Sequence, residues 1–150
     1  MKAVWIVGAI AAIALILWAL WPPSEGKPNS GPACIQNLRN IYGAVAIYSE
    51  DCDHRLPPAT VWNDVLVSYA KSRDAFRCPA TAEYGYAWNG NLGADPISEI
   101  NSRSTTPLVF DSPLLKRDAV DDPSDLPNPP RHDGKNQMLY VDGHADAVKK

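Results

Sequence analysis

The chain has 150 residues, with 14 Lys and Arg against 17 Asp and Glu and a formal net charge of −3. It has no cluster of basic residues, which argues against a nucleic-acid-binding surface and leaves no nucleic-acid partner. Fourteen prolines imply many turns and few long elements, and three cysteines allow one disulfide with one thiol left over.

Ala3 to Trp21 carries no charged side chain. As a helix it would cover roughly 28 Å, close to a ~30 Å hydrocarbon core. Trp5, Trp18 and Trp21 stand toward its ends, where indoles favour the membrane interface. No small-x-small cleavage pattern precedes Pro22-Pro23 and no cysteine follows the run, so the segment reads as an uncleaved signal anchor over residues 1–21. Lys2 before it sets the N-terminus inside. The expected placement is single-pass in the cytoplasmic (inner) membrane, with the rest of the chain extracytoplasmic. Residues 22–32, rich in proline and glycine, read as a tether, and 33–150 as one domain.

The domain opens with a predicted helix from Ala33 to Ser49. Cys34, Leu38, Ile41, Val45 and Tyr48 share one face, and Ile35 and Tyr42 widen it. Gly43 inside it suggests close approach of a neighbour. Glu50, Asp51 and Asp53 follow in a polar loop and are the better candidate cation (Ca²⁺) ligands, although solvated charge is the plainer reading. Cys52 lies among these carboxylates, which disfavour a reactive thiolate despite nearby His54. Thr60 caps a predicted third helix to Lys71, with Trp62, Val65, Leu66 and Tyr69 on its apolar face.

Tyr84 to Asn91 reads as an irregular aromatic loop, Leu108 to Phe110 as a strand, and Ser112 to Pro130 as a surface loop. That loop carries a second acidic group, Asp118, Asp121, Asp122 and Asp125. Asn136 to Val141 and His144 to Val148 flank Asp142-Gly143, a strong hairpin signal, with the buried face left open. A turn at His132 to Lys135 would extend the hairpin to three strands. The fold class is α+β: an N-terminal transmembrane helix, then one or two helices against a small antiparallel sheet ending in a β-hairpin.

His132 followed by Asp142-Gly143 resembles the H-X9-DG segment of prepilin-type proteins. Cys34 to Ile41 is similar to that family's Cys-x-x-Asn-Leu-x-x-Ile helix, and Tyr48 to Pro57 to its acidic loop. Phe76-Arg77-Cys78-Pro79 and Tyr86 to Asn89 resemble its Phe-x-Cys-Pro and Tyr-x-x-Asn elements. The resemblance implies a pseudopilin-like structural protein related to type II secretion or type IV pilus-like assemblies, with other pilin-like subunits as partners. Gly8-Ala9 inside the apolar run, with Ile13 in place of a glutamate, supports neither leader processing nor the filament-register glutamate.

Cys34 and Cys78 occupy the elements where the family has cysteine, and a disulfide between them would stabilise by about 3–4 kcal/mol. His132, Asp142 and Gly143 then form a motif that fixes two turns. A metal set of His132, Asp142 and His144 is disfavoured because an intervening strand holds His132 and Asp142 roughly 17–20 Å apart. No nucleophile elbow, phosphate loop or zinc spacing is visible, so neither an enzyme nor a cofactor is expected. The alternative is a tethered module that binds protein, glycan or an ion through Tyr84 to Trp88.

Overall fold

A computed structural model describes residues 30–81 and 83–149. The one long helix, α1, spans Gly31–Asp51. Pro32 lies in its first turn, where a missing N–H costs nothing. The helix therefore begins inside the expected tether. Cys34, Leu38, Ile41, Ala44 and Val45 form the buried stripe, while Tyr48 is half-buried. Beyond Asp51 the chain turns back through Asp53 and His54, both at positive φ, as His54 N–H donates to the Ser49 carbonyl at 2.8 Å.

The expected helix from Thr60 to Lys71 is only a 3₁₀ turn, Ala59–Val61, followed by a short helix α2, Trp62–Leu66. Its cap comes from far along the chain rather than from Thr60. Asp118 Oδ1 accepts from the backbone N–H groups of Asn63 (2.8 Å) and Asp64 (3.2 Å). Trp62 packs on Phe76 and Trp88, with ring centroids 5.9 and 5.7 Å away.

Five strands follow: β1 Tyr86–Asn89, β2 Pro107–Asp111, β3 Val120–Asp121, β4 Asn136–Tyr140 and β5 Ala145–Val148. Their order in the sheet is β3-β1-β2-β4-β5. The pairs β1–β2, β2–β4 and β4–β5 are antiparallel, but β3 runs parallel to β1. The sheet is therefore mixed, which corrects the antiparallel expectation. β1 replaces the predicted aromatic loop, and β3 falls within the predicted surface loop. The turn at His132–Lys135 forms a single bridge and adds no strand.

One cross-strand row, Trp88–Val109–Leu139–Ala145, faces α1 in the main core. The alternate row, Ala87–Phe110–Met138, faces the opposite way and packs with Ala119 and Leu126. The proline-rich segment after β2 thus covers the sheet's second face instead of lying free in solvent.

Among the described residues, no helix is long and apolar enough to cross a membrane. The transmembrane part of the expected fold and the single-pass inner-membrane placement are accordingly not supported. Ala3 to Trp21, on which they rested, lies outside the described residues, as do Pro22 to Asn29 of the expected tether.

Two glycines behave oppositely. A Cβ on Gly43 would meet nothing within 4 Å, so the expected close neighbour is absent there. Gly143 has φ +94, and a Cβ there would overlap the Tyr42 ring. Gly43→Ala should raise stability by about 0.5–1 kcal/mol, whereas Gly143→Ala should lower it by about 1–3 kcal/mol. Urea unfolding midpoints of the two variants check both signs.

Candidate metal centre

Four side chains from four segments meet beneath the start of α1. Cys34 comes from the first turns of the helix, and Cys78 from the strand-like stretch after the 3₁₀ turn Arg73–Phe76. Asp111 closes β2, and His132 comes from the turn before β4. One ligand atom from each lies within 4.8 Å of all the others. Every one of the four residues is 3% exposed or less.

Cys34 Sγ donates to Asp111 Oδ1 at 3.8 Å, and Cys78 Sγ lies 3.5 Å from His132 Nε2. Asp111 Oδ2 lies 3.2 Å from the same nitrogen. An outer layer orients these groups. Ser30 Oγ lies 2.9 Å from His132 Nδ1, the Tyr86 hydroxyl donates to Cys34 Sγ at 3.1 Å, and the Gln137 backbone N–H donates to Asp111 Oδ2 at 2.7 Å. Holding the far nitrogen of a histidine in this way directs the near one, the arrangement found around metal-ligating imidazoles.

The local backbone is shaped for this approach. A Cβ on Gly85, just before β1, would come 2.6 Å from the Cys78 Cβ and 2.7 Å from Arg131 Nη1. Its absence lets Cys78 and Arg131 close on the strand ends. Arg131 donates to the carbonyls of Gly85 (2.7 Å) and Ser112, which ties the start of β1 to the end of β2.

Burial pushes the Cys34 thiol well up, and its hydrogen bond with Cys78 pushes the same way. The Cys78 thiol is brought down to about 5, first by that hydrogen bond and then by His132, against the opposing effect of burial. Burial pushes the His132 imidazolium down, but hydrogen bonds to Asp111 and Cys78 outweigh it and hold the group up to about 9. Burial raises the Tyr86 hydroxyl, which therefore stays a neutral donor.

The structure brings together Cys34 and Cys78, as the disulfide reading requires, but leaves both as free thiols. His132 and Asp142 are not brought together: β4 lies between them, and Asp142 sits at the hairpin tip. There its Oδ1 accepts from the His144 backbone N–H at 3.1 Å and lies 2.5 Å from His144 Nδ1. Gly143 supplies the positive φ of that tip. His132 thus belongs to the interior cluster rather than to a motif shared with the tip.

Glu50 and Asp51 occupy the exposed last turn of α1. Glu50 Oε1 is 3.7 Å from His54 Nδ1, and Asp53 is exposed. Among the described residues these carboxylates do not form a convergent ligand group. Cys52 follows the other end of α1, roughly 27 Å along the helix from Cys34. Asp118, Asp121 and Asp122 are engaged separately, with α2, with Ser112 and with Ser124.

Asp111 and Ser30 escaped the reading from sequence, and Tyr86 was read only as part of an aromatic loop. An aspartate after a short apolar run looks like a turn residue, and only the strand pairing places it opposite Tyr86. Comparison with family models, with curated protein sequences and with solved structures returns no match for this chain.

The ligand-free cluster has a defined pH signature. Protonated His132 contributes stability in full below its ordinary 6.5, lost as pH rises through about 9. Thiolate Cys78 contributes in full above its ordinary 9.0, lost as pH falls through about 5. Between 6.5 and 9 the two slopes oppose each other. Thermal unfolding with a chelator present should therefore be nearly flat from pH 7 to 9 and fall from 6.5 to 5. Cys78→Ser should abolish much of that acid-side fall.

Proposed function

We propose that the chain is a non-catalytic structural module in which one interior divalent ion, best zinc, is held by Cys34, Cys78, Asp111 and His132. The observation that carries this reading is the convergence of four buried ligand side chains, two thiols, a carboxylate and an imidazole, within 4.8 Å of one another. With metal–ligand bonds of about 2.0–2.3 Å, the edges of a tetrahedron measure roughly 3.3–3.8 Å. The two contacts that share His132 Nε2, 3.2 Å to Asp111 Oδ2 and 3.5 Å to Cys78 Sγ, fall in or beside that range. All four ligand atoms lie within 4.8 Å of one another, close enough for a small inward shift to seat the ion. Thiolate and imidazole donors favour zinc over the hard cations that acidic loops attract.

Four buried ligands leave no position for water or substrate, which suits a structural rather than a catalytic centre. The ion would join the helix to the sheet and neutralise charge that burial makes costly. The segments that resemble prepilin-type motifs support a structural role in a pilin-like assembly. Cys34, Cys78 and His132 come from three of those segments, scattered along the chain, and meet in this one cluster.

Protein purified under reducing conditions should carry one zinc per chain by plasma mass spectrometry, and Cys34→Ser and His132→Ala should each lose it. At free zinc about 1,000-fold above Kd the metal adds about 4 kcal/mol, a Tm rise of roughly 10–20 °C over the chelated protein. Uptake near neutral pH should release about two protons per ion, from Cys34 and His132, so affinity rises with pH. A Cys34–Cys78 disulfide in intact-mass analysis, with no bound metal, would overturn the metal reading. The assembly role is tested separately: crosslinking the full-length chain in cells that make it should yield a ladder of homo-oligomers, and monomer alone would remove that role.

A further inference from the structure

A second site lies on the outside of the molecule, beside α2. A cavity of about 420 Å³ is lined by Asn63, Val67, Arg73, Asp74, Arg77, Tyr84 and Arg117. Its three arginines come from two separate parts of the chain, Arg73 opening the 3₁₀ turn, Arg77 following it, and Arg117 from the segment after β2.

These arginines differ in how they are engaged. Arg117 is paired with Asp64, with Asp118 3.8 Å away. The Arg77 guanidinium carbon lies over the Tyr84 ring, 5.0 Å from its centroid, a cation–π contact that leaves its N–H groups to be used. The Arg73 side chain makes no hydrogen bond or ion pair among the described residues. Asp74 is the one carboxylate in the lining, so the wall remains net positive.

An independent observation points to a ligand. Asn63 lines this cavity, is 2% exposed, and its Nδ2 has no hydrogen-bond partner among the described residues. A buried amide donor left unsatisfied costs about 1–3 kcal/mol, so such groups normally have a partner. Asn63's backbone is already used, its N–H by Asp118 and its carbonyl by Val67. The side-chain amide is therefore the unused donor beside a cluster of arginines.

We infer that this cavity binds a small organic oxyanion, a phosphate monoester or carboxylate whose body rests against Tyr84 and Val67. Arg73 and Arg77 supply the forked donors that match such groups, and a turn of the Asn63 amide, whose Nδ2 is itself closed to solvent, would bring a third donor to the buried end. Tyr84 is half-buried and gives an apolar wall, so an anion carrying a flat ring binds better than the bare ion. The site does not depend on the metal reading, because none of its lining residues belongs to the interior cluster.

The test is titration of the isotope-labelled full chain with three probes, phenyl phosphate, phenylacetate and inorganic phosphate, followed by NMR. Phenyl phosphate or phenylacetate should bind saturably with Kd of about 0.1–1 mM and shift the Asn63 side-chain amide and the Arg73 and Arg77 Nε resonances. Whichever ring-bearing probe binds tighter identifies the oxyanion. Inorganic phosphate should bind more weakly than phenyl phosphate. Arg73→Gln and Asn63→Ala should each weaken binding about tenfold, whereas Arg103→Gln, outside this cavity, should not. Because Nδ2 has no partner among the described residues, Asn63→Ala should change thermal stability little, which separates lost binding from lost folding. Absence of saturation by all three probes, or shifts spread evenly over arginines across the surface, would overturn the assignment.

Discussion

A carboxylate sealed inside the protein, Asp111, sets the terms for much of this structure. It receives the Gln137 backbone N–H, the Cys34 thiol and the His132 ring, so three other segments must be in place before it is satisfied. Removing one partner would strand a charge away from water, which costs far more than the lost contact itself. The apolar stripe of α1 explains why the helix lies on the sheet. Leu38, Ile41 and Val45 could still pack well after a small slide, because hydrophobic contacts are non-directional. The polar cluster at the helix start has directional requirements, and these specify one register of helix against sheet.

The sheet itself is stabilised from two sides. Two adjacent residues of β2 face different cores, Val109 toward α1 and Phe110 toward the segment that follows β2. That segment contributes Ala119 and Leu126 to the second core and adds β3 at the edge. Its Ala119 carbonyl accepts from the Trp62 indole N–H at 3.0 Å and from the Trp88 backbone N–H at 2.9 Å. One stretch therefore covers the sheet, caps α2 through Asp118 and satisfies buried tryptophans. Composition rich in proline and aspartate conceals this, since the same residues suit a solvated loop.

What could be read from the sequence followed the range of the interactions. The α1 stripe and the Asp142-Gly143 hairpin are local patterns, and both are present, with the helix longer at both ends. β1 was legible only as a loop because Tyr86, Ala87 and Trp88 are buried on both faces and show no alternation. β3 is two residues long and exists only through its pairing with β1. The predicted helix from Thr60 to Lys71 stops early, and its cap is an aspartate more than fifty positions away. His132 and both cysteines stood out, but Asp111 did not. The cluster is created by topology, and no spacing along the chain encodes it. Tyr86 and Trp88, seen as a possible recognition surface, are spent on the core, which leaves Tyr84 as the half-buried ring of that stretch.

The interior cluster and the arginine cavity meet in one short piece of backbone. Arg77 has extended dihedrals, φ −111 and ψ 128, so it and Cys78 project to opposite sides. Cys78 goes inward to His132, while Arg77 goes outward over Tyr84. The Arg77 carbonyl is also held, by Asn37 Nδ2 of α1 at 2.9 Å. An ion gripping Cys78 would thereby fix the base from which Arg77 reaches its cavity. A guanidinium whose stem is set loses less freedom when an anion arrives than one on a loose loop. A loaded centre would then tighten recognition without touching the ligand, by removing motion from the segment that presents the arginine, while the cavity keeps its own donors when the centre is empty.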